Sequence, residues 1–167
     1  MKIKIGIFLL VIWQILSFTQ NSFGQTTLLS GTGDGGFETG TTFALNNWTA
    51  VNTGQTNQWW CGTAVAGQAG VRCAYVGTTA ANNNYTATAA SIVHIYKNVT
   101  FPLGQDLIKL YFKYKVRGRS NEDFMEVSLV PTSVTPLAGV TLNTGTLGTD
   151  YRNQTTWKID SIELPCT

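Results

Sequence analysis

The sequence predicts an all-β fold in which two antiparallel sheets pack face to face, as in a sandwich or jelly roll. In Leu107–Val116, apolar positions alternate strictly with mostly lysine positions over ten residues, which is the period of a half-buried strand. Its apolar face needs a second layer of sheet to cover it. Charged residues make up 12% of the chain, Thr, Asn and Gly abound, and short β-rich segments alternate with turn residues.

The first residues are predicted to be a cleaved signal peptide. Two lysines precede an apolar run over residues 5–18, and Ser22 and Gly24 are the small residues that a signal peptidase reads. The run is too short for a membrane span, and no stop-transfer segment follows it. We therefore expect residues 1–24 to be removed and residues 25–167 to form one secreted or cell-surface domain without a membrane span.

The charge of the mature chain argues against a nucleic-acid partner. Removing Lys2 and Lys4 leaves nine basic and nine acidic residues, so the net charge becomes zero. Nucleic-acid-binding domains normally carry a basic surplus. Lys109, Lys113 and Lys115 are therefore interpreted as the solvated face of a strand rather than as a nucleic-acid or anionic-glycan surface, since lysine there also discourages edge-to-edge aggregation.

The first half of the mature chain contains four predicted short strands. Residues 33–40 place Phe37 between glycines, and residues 46–51 carry Trp48. Two further apolar segments follow, and a loop of small residues separates them from each other. These strands are predicted at residues 33–40, 46–51, 57–62 and 70–77.

The second half contains four more predicted strands, one of which is Leu107–Val116. Residues 91–100 form a strand that ends before Pro102, because proline disfavours its continuation. Residues 123–130 and 155–164 show one apolar face each. Residues 131–150 are rich in Gly, Thr and Pro and are predicted to be a loop, with one edge strand near residues 140–142. No convincing amphipathic helix and no internal repeat is found.

Two predictions concern packing. On Leu107–Val116 we expect Ile108, Leu110, Phe112 and Tyr114 to be buried and the three lysines to be exposed. Cys61 and Cys73 lie in short strands separated by eleven residues, in a chain predicted to reach an oxidising compartment. An antiparallel hairpin would place them opposite each other, so a Cys61–Cys73 disulfide is predicted, with Cys166 unpaired.

Several segments together resemble the cleaved-adhesin or choice-of-anchor J family. They are, in order, GFETG, NNW, QWWCGTA, AYVG, SIVHIYKNVTFP, LYFKYKVRGRSNEDFMEVSLVP and TWKIDSIELP. Members of that family are MAM-like jelly-roll modules of secreted and surface proteins, often multidomain chains exported by type IX secretion. In that family two more strands follow the one that carries Trp157. The resemblance therefore implies a C-terminally truncated domain that continues past Thr167 within a longer parent chain.

The resemblance also bears on metal binding. Glu38 in FETG is similar to a first-strand acid that helps to hold calcium in related adhesin modules. Calcium prefers six to eight oxygen ligands, and the family's C-terminal acid is absent here. We expect no cofactor in this chain, with calcium bound in the full-length domain as the alternative.

The residues favour a binding module over an enzyme. His94 is the single histidine and lies in an alternating strand, where a satisfied sheet-face histidine is expected. Glu122, Asp123 and Glu126 are the one local acidic cluster, but Glu122 and Glu126 share a strand face instead of facing each other across a cleft, as a glycosidase requires. Surface ion pairs with the arginines just upstream are expected instead.

The candidate ligand contacts are aromatic. Trp59 and Trp60 are adjacent, so a strand turns one inward and the other outward, and Tyr111 lies among the lysines of Leu107–Val116. The predicted function is a non-enzymatic, adhesin-like module for an extracellular carbohydrate or protein ligand. The alternative is an accessory, carbohydrate-binding-like domain of a secreted peptidase or glycoside hydrolase whose catalytic part lies outside this chain.

Overall fold

The structure, a computed structural model, describes residues 25–119 and 121–165. This part of the chain contains two single-turn 3₁₀ segments, Asp34–Gly36 and Ala44–Asn46, and β-strands, but no α-helix. The strands are β1 Thr49–Val51, β2 Gln58–Gly62, β3 Cys73–Gly77, β4 His94–Tyr96, β5 Leu107–Val116, β6 Met125–Ser128, β7 Thr146–Tyr151 and β8 Gln154–Pro165. None of the described helical segments is long and apolar enough to cross a membrane.

The strands pair into four two-stranded antiparallel sheets, β1–β4, β2–β3, β5–β8 and β6–β7. The predicted all-β class is thereby confirmed, while the arrangement of these sheets as a jelly-roll sandwich stays a prediction. The predicted signal peptide, residues 1–24, and Cys166 lie outside the described residues. The continuation of the domain past Thr167 also stays a prediction.

Most predicted strands are present but shorter, and two predictions were wrong. Residues 33–40 form a 3₁₀ turn instead of a strand, because the glycines allow a tight turn that ends with Phe37 at a φ of 65°. No strand forms over residues 140–142. Instead, β7 lies in the segment that was predicted to be a loop, where it pairs with β6 through two irregularities in register.

The long ribbon β5–β8 confirms the predicted alternation. It runs in register from Leu107 opposite Pro165 to Tyr114 opposite Lys158, and a bulge in β8 precedes Val116. The even-numbered residues of β5 are half-buried and the odd-numbered residues are exposed. The predicted faces are therefore correct, but the apolar face is half-buried rather than fully buried.

An aromatic cluster covers part of that inner face. The Phe112 and Tyr151 rings meet edge to face with centroids 5.3 Å apart, and the Tyr114 and Tyr151 centroids are 4.8 Å apart. The Tyr151 hydroxyl donates to a carboxylate oxygen of Asp160 at 2.5 Å. Burial and this carboxylate together raise the pKa of Tyr151 to about 12.

Asparagine side chains fix the turns of the first half of the chain. Asn46 is fully buried, and its Nδ2 donates to the carbonyl oxygens of Gly40 at 2.9 Å and Thr42 at 2.8 Å. Its Oδ1 accepts from the N–H of Thr39 at 2.9 Å. Asn46 thus satisfies three backbone groups that the turn conformation leaves without a regular partner.

Asn57 does the same for the segment that follows β3. It is 5% exposed, its Nδ2 donates to the carbonyls of Thr86 and Ala89 at 3.1 Å each, and its Oδ1 accepts from the N–H of Thr86 at 2.7 Å. The backbone N–H of Asn57 also donates to the hydroxyl of Ser91 at 3.2 Å. These contacts attach residues 86–91 to the start of β2.

Candidate ligand-binding cleft

The loop after β3, residues 78–86, is held at several points and forms one wall of a cleft. The N–H of Thr78 donates to the carbonyl of Asn84 at 2.9 Å, and the Tyr75 hydroxyl donates to the carbonyl of Ala80 at 2.5 Å. The N–H of Asn84 donates to Oδ1 of Asn82 at 3.1 Å, which is an Asx-type turn. With Thr86 fixed by Asn57, the side chains of residues 83–85 project from a well-anchored loop.

The opposite wall is the turn that follows β5, residues 117–119. Oδ2 of Asp123 accepts two hydrogen bonds, from the N–H of Arg119 at 2.6 Å and from the hydroxyl of Tyr85 at 2.9 Å. One carboxylate therefore joins both walls. The hydrogen bond to Asp123 is the main reason why the pKa of Tyr85 is raised, since a nearby carboxylate favours the neutral phenol.

Between the two walls lies an open cleft of about 620 Å³. The described residues that line it are Asn83, Asn84, Tyr85, Arg117, Gly118 and Arg119. A Cβ atom on Gly118 would lie 2.5 Å from Cβ and 2.7 Å from Oδ2 of Asp123. Glycine at this position therefore lets the carboxylate approach the turn closely enough to hold both walls. The cleft presents two carboxamides, an aromatic ring and two guanidinium groups.

Tyr111, the predicted contact on β5, lies on the outer face of the β5–β8 ribbon. It is 60% exposed, and Ile159 on β8 is 66% exposed. Lys109 at one end forms a salt bridge of 2.5 Å with Glu163, and this contact raises the pKa of Lys109. The ring of Tyr111 is thus open to a ligand on a face that also carries lysines.

Trp59 and Trp60 point to opposite faces of the β2–β3 hairpin, as predicted, but both are half-buried. The indole N–H of Trp59 donates to the carbonyl of Val93 at 3.1 Å, and that of Trp60 donates to the carbonyl of Gly77 at 3.0 Å. Both indole donors are therefore used within the protein. The structure places these two tryptophans and Tyr111 in different sheets and does not gather them into one site.

The predicted disulfide between Cys61 and Cys73 is not formed, and both thiols are free. The hairpin register pairs Cys61 with Ala74 and Cys73 with Gly62. This offset of one residue places the two side chains on opposite faces, because neighbouring residues of a strand alternate. Burial is the main cause of the raised pKa of both thiols, which reaches about 11 for Cys73.

Glu38, the proposed calcium ligand, faces a cation of the protein itself. One of its carboxylate oxygens accepts from the N–H of Arg72 at 2.8 Å, and the other lies 3.8 Å from the Arg72 guanidinium. The carboxylate thereby attaches the 3₁₀ turn region to the start of β3. Within the described residues, no group of three or more His, Cys, Asp or Glu side chains is placed to hold a metal ion.

His94 holds a loop. Its Nε2 lies 3.1 Å from the carbonyl of Leu137 and 3.0 Å from that of Val140, so this nitrogen carries the hydrogen and donates to both. The predicted satisfied sheet-face histidine is therefore confirmed. The surface ion pairs predicted for the acidic cluster are confirmed for Glu122, whose carboxylate contacts the Arg119 guanidinium, whereas Asp123 accepts from the backbone N–H of Arg119 instead.

The cleft was not predicted from the sequence. Its walls are more than thirty residues apart in the chain, at residues 83–85 and 117–119, and Asp123 joins them in the folded protein. The one local signal was compositional, namely three consecutive asparagines before Tyr85 and the Arg-Gly-Arg turn after β5. Neither segment was assigned a role in ligand binding from the sequence.

No family model, curated protein or solved structure matches this chain. The resemblance to the cleaved-adhesin family therefore rests on the sequence segments quoted above.

Proposed function

We propose that this chain is a secreted, non-enzymatic binding module of the adhesin type, and that its ligand is a carbohydrate bound in the cleft between residues 83–85 and 117–119. The observation that carries this proposal is the lining of the cleft. Carboxamides both donate and accept hydrogen bonds, as sugar hydroxyl groups do, and guanidinium groups add fixed donors. The volume of about 620 Å³ lies in the range of small-molecule sites.

The supports of the cleft also favour carbohydrate. A ligand with many hydroxyl groups is bound tightly only by polar groups that are already in position, because ordering them on binding costs free energy. Asp123 fixes Tyr85 and Arg119, and Asn57 fixes the end of the loop that carries Asn83 and Asn84. The tyrosine ring offers an apolar surface to the C–H face of a sugar.

The carboxylates near the cleft favour binding without hydrolysis. A glycosidase needs two carboxyl groups that face each other across the scissile bond. Asp123 already accepts two hydrogen bonds from the walls, and Glu122 is paired with Arg119. Neither group is therefore presented as a general acid or base.

Export and the jelly-roll topology belong to the same proposal. The lysine-flanked apolar run with small residues at its end supports export, and the ordered family-like segments support an adhesin-type jelly roll. The four antiparallel strand pairs are compatible with that topology.

The proposal is tested by a glycan screen followed by calorimetric titration of the best ligand. Replacing Asn84 or Arg117 by alanine removes one or two hydrogen bonds to the sugar and should weaken binding about tenfold. Asn143→Ala, in an exposed loop outside the cleft lining, is the matched control and should bind like the wild type.

Two results would contradict the proposal. The first is that N84A and R117A bind the sugar as tightly as the control variant. The second is that the screen yields no saccharide while an extracellular protein binds to the cleft, since a protein ligand is the competing outcome for a module of this type.

A further inference from the structure

A row of basic side chains runs along β5 and ends in the cleft. Lys113 and Lys115 are exposed odd-numbered positions on the outer face of the ribbon, and exposed Arg117 follows directly after the last residue of β5. Successive members lie about 6.5–7 Å apart, the distance spanned by two residues of a strand. Because Arg117 also lines the cleft, the row and the cleft form one continuous surface.

Within residues 25–119 and 121–165, none of the described side chains forms a salt bridge with the charges of this row, Lys113, Lys115 and Arg117. Lys109, the next lysine along the same face, differs because Glu163 pairs with it. The unpaired positive charge therefore begins after Lys109 and extends toward the cleft.

Aromatic and apolar side chains lie beside these charges. Tyr111 is exposed between Lys109 and Lys113, and the Lys115 ammonium lies over the Trp157 ring, 5.3 Å from its centroid. A ring that alternates with cations suits a ligand that offers both apolar faces and negative groups.

We propose that the outer face of β5 and the cleft together bind a linear polysaccharide whose sugars carry carboxylate or sulfate groups. The proposal rests on the proposed function, in which the cleft binds carbohydrate, and adds that Lys113, Lys115 and Arg117 contact the acidic groups of the following sugars. Charge complementarity selects this ligand. From the sequence, the neutral total outside residues 1–24 favoured a solvated lysine face, but a neutral total does not exclude a local row of unpaired cations. Single-stranded DNA is the competing polyanion and is therefore included in the test.

The test compares four probes on the whole secreted chain by biolayer interferometry at several salt concentrations. The probes are polygalacturonate, dextran sulfate, neutral dextran and single-stranded DNA. We expect the double variant K113Q/K115Q to bind the preferred anionic polysaccharide about tenfold more weakly, which corresponds to about 1.4 kcal/mol. Its binding should also depend less steeply on salt, because fewer counterions are released.

Two controls separate charge from fold. The K113R/K115R variant keeps the charges and should bind like the wild type. Lys158→Gln removes one lysine from the same ribbon at a position opposite Tyr114, and therefore on the other face, so it should leave binding unchanged.

A gain of binding provides a second, independent readout. Glu163→Gln releases Lys109 from its partner and lengthens the unpaired basic row. We expect it to strengthen binding of the anionic polysaccharide severalfold, whereas Glu126→Gln, the same charge change at the exposed position of β6, should not. A merely structural role of Glu163 would instead weaken binding.

The outcomes distinguish this inference from the proposed function. Cleft-dependent binding of a neutral sugar, together with unchanged binding in K113Q/K115Q, would overturn the inference and leave the proposed function standing. Absence of any saccharide binding would overturn both. Tighter binding of single-stranded DNA than of either anionic polysaccharide, with the same sensitivity to K113Q/K115Q, would overturn the assigned ligand class.

Discussion

Asn46 offers the most direct test of how the first half of the chain is held together. The side chain is fully buried and makes three hydrogen bonds to backbone groups, with its Nδ2 also 3.8 Å from Sγ of Cys61. Each such bond contributes about 1 kcal/mol net, so Asn46→Ala should lower the free energy of unfolding by about 3 kcal/mol. For a domain of this size the midpoint temperature should fall by about 10 °C.

A second substitution at the same position tests the direction of these bonds. In N46D an acceptor oxygen replaces the Nδ2 donor and faces the carbonyls of Gly40 and Thr42. N46D should therefore be less stable than N46A at pH 7. The difference should narrow as the pH falls toward about 4, because a buried carboxyl that faces two carbonyls gains a proton above the ordinary pKa of aspartate and can then donate it.

The assay is urea unfolding followed by tryptophan fluorescence, with Asn143→Ala as the exposed control. The reasoning would be refuted if N46A stayed within about 0.5 kcal/mol of that control, the usual range for surface substitutions. Equal stability of N46A and N46D at neutral pH would refute the assigned bond directions.

Three further predictions concern the ribbon and the hairpin. Phe112→Ala should lower the free energy of unfolding in urea by about 2 kcal/mol, roughly half the cost for a fully buried phenylalanine. Lys113→Ala should change stability little, and equal costs for the two variants would show that the faces of β5 are misassigned. Because the pKa of Tyr151 is raised to about 12 by burial and by Asp160, the folded state keeps this proton longer than the unfolded state, and stability should fall as pH rises from about 10 to 12. The Y151F variant should lose less stability than the wild type over this pH range. An equal loss of stability in the two proteins would contradict the prediction. With its pKa near 11, Cys73 should react with iodoacetamide at pH 8 about a hundredfold more slowly than in the unfolded chain; a disulfide-linked peptide in the mass spectrum would contradict the free thiols.

Local pattern was sufficient for the elements whose residues alternate in polarity. The bounds of β5 were predicted correctly, and β8 extends the predicted strand by one residue at each end, because one polar and one apolar face dictate the period. The first predicted strand failed because its glycines also permit a tight turn, and long-range contacts decide between the two. Two such contacts hold the turn at Asp34. The indole N–H of Trp48 donates to the backbone carbonyl of Asp34, and the Lys97 ammonium contacts the Asp34 carboxylate.

The local pattern could not predict the register of the β2–β3 hairpin or the cleft, because both depend on contacts between different segments of the chain. The spacing of Cys61 and Cys73 fits a hairpin, but a shift of one residue moves a side chain to the other face, and no local feature fixes that shift. From the sequence, Asp123 was assigned to a surface acidic cluster. In the structure, its carboxylate accepts hydrogen bonds from Tyr85, thirty-eight residues away in the chain, and from Arg119, four residues away. Long-range hydrogen bonds of this kind are a property of the folded chain.

The most direct test of carbohydrate binding in the cleft is an NMR titration in which an oligosaccharide ligand is added to the isotope-labelled chain and the shifted signals are mapped onto the structure. The proposed function predicts that backbone and side-chain amide signals of residues 83–85 and 117–119 shift most. The indole N–H signals of Trp59 and Trp60 should stay in place, because both donate to backbone carbonyls. Shifts that concentrate on those two indoles while residues 83–85 and 117–119 remain unchanged would contradict the proposed site.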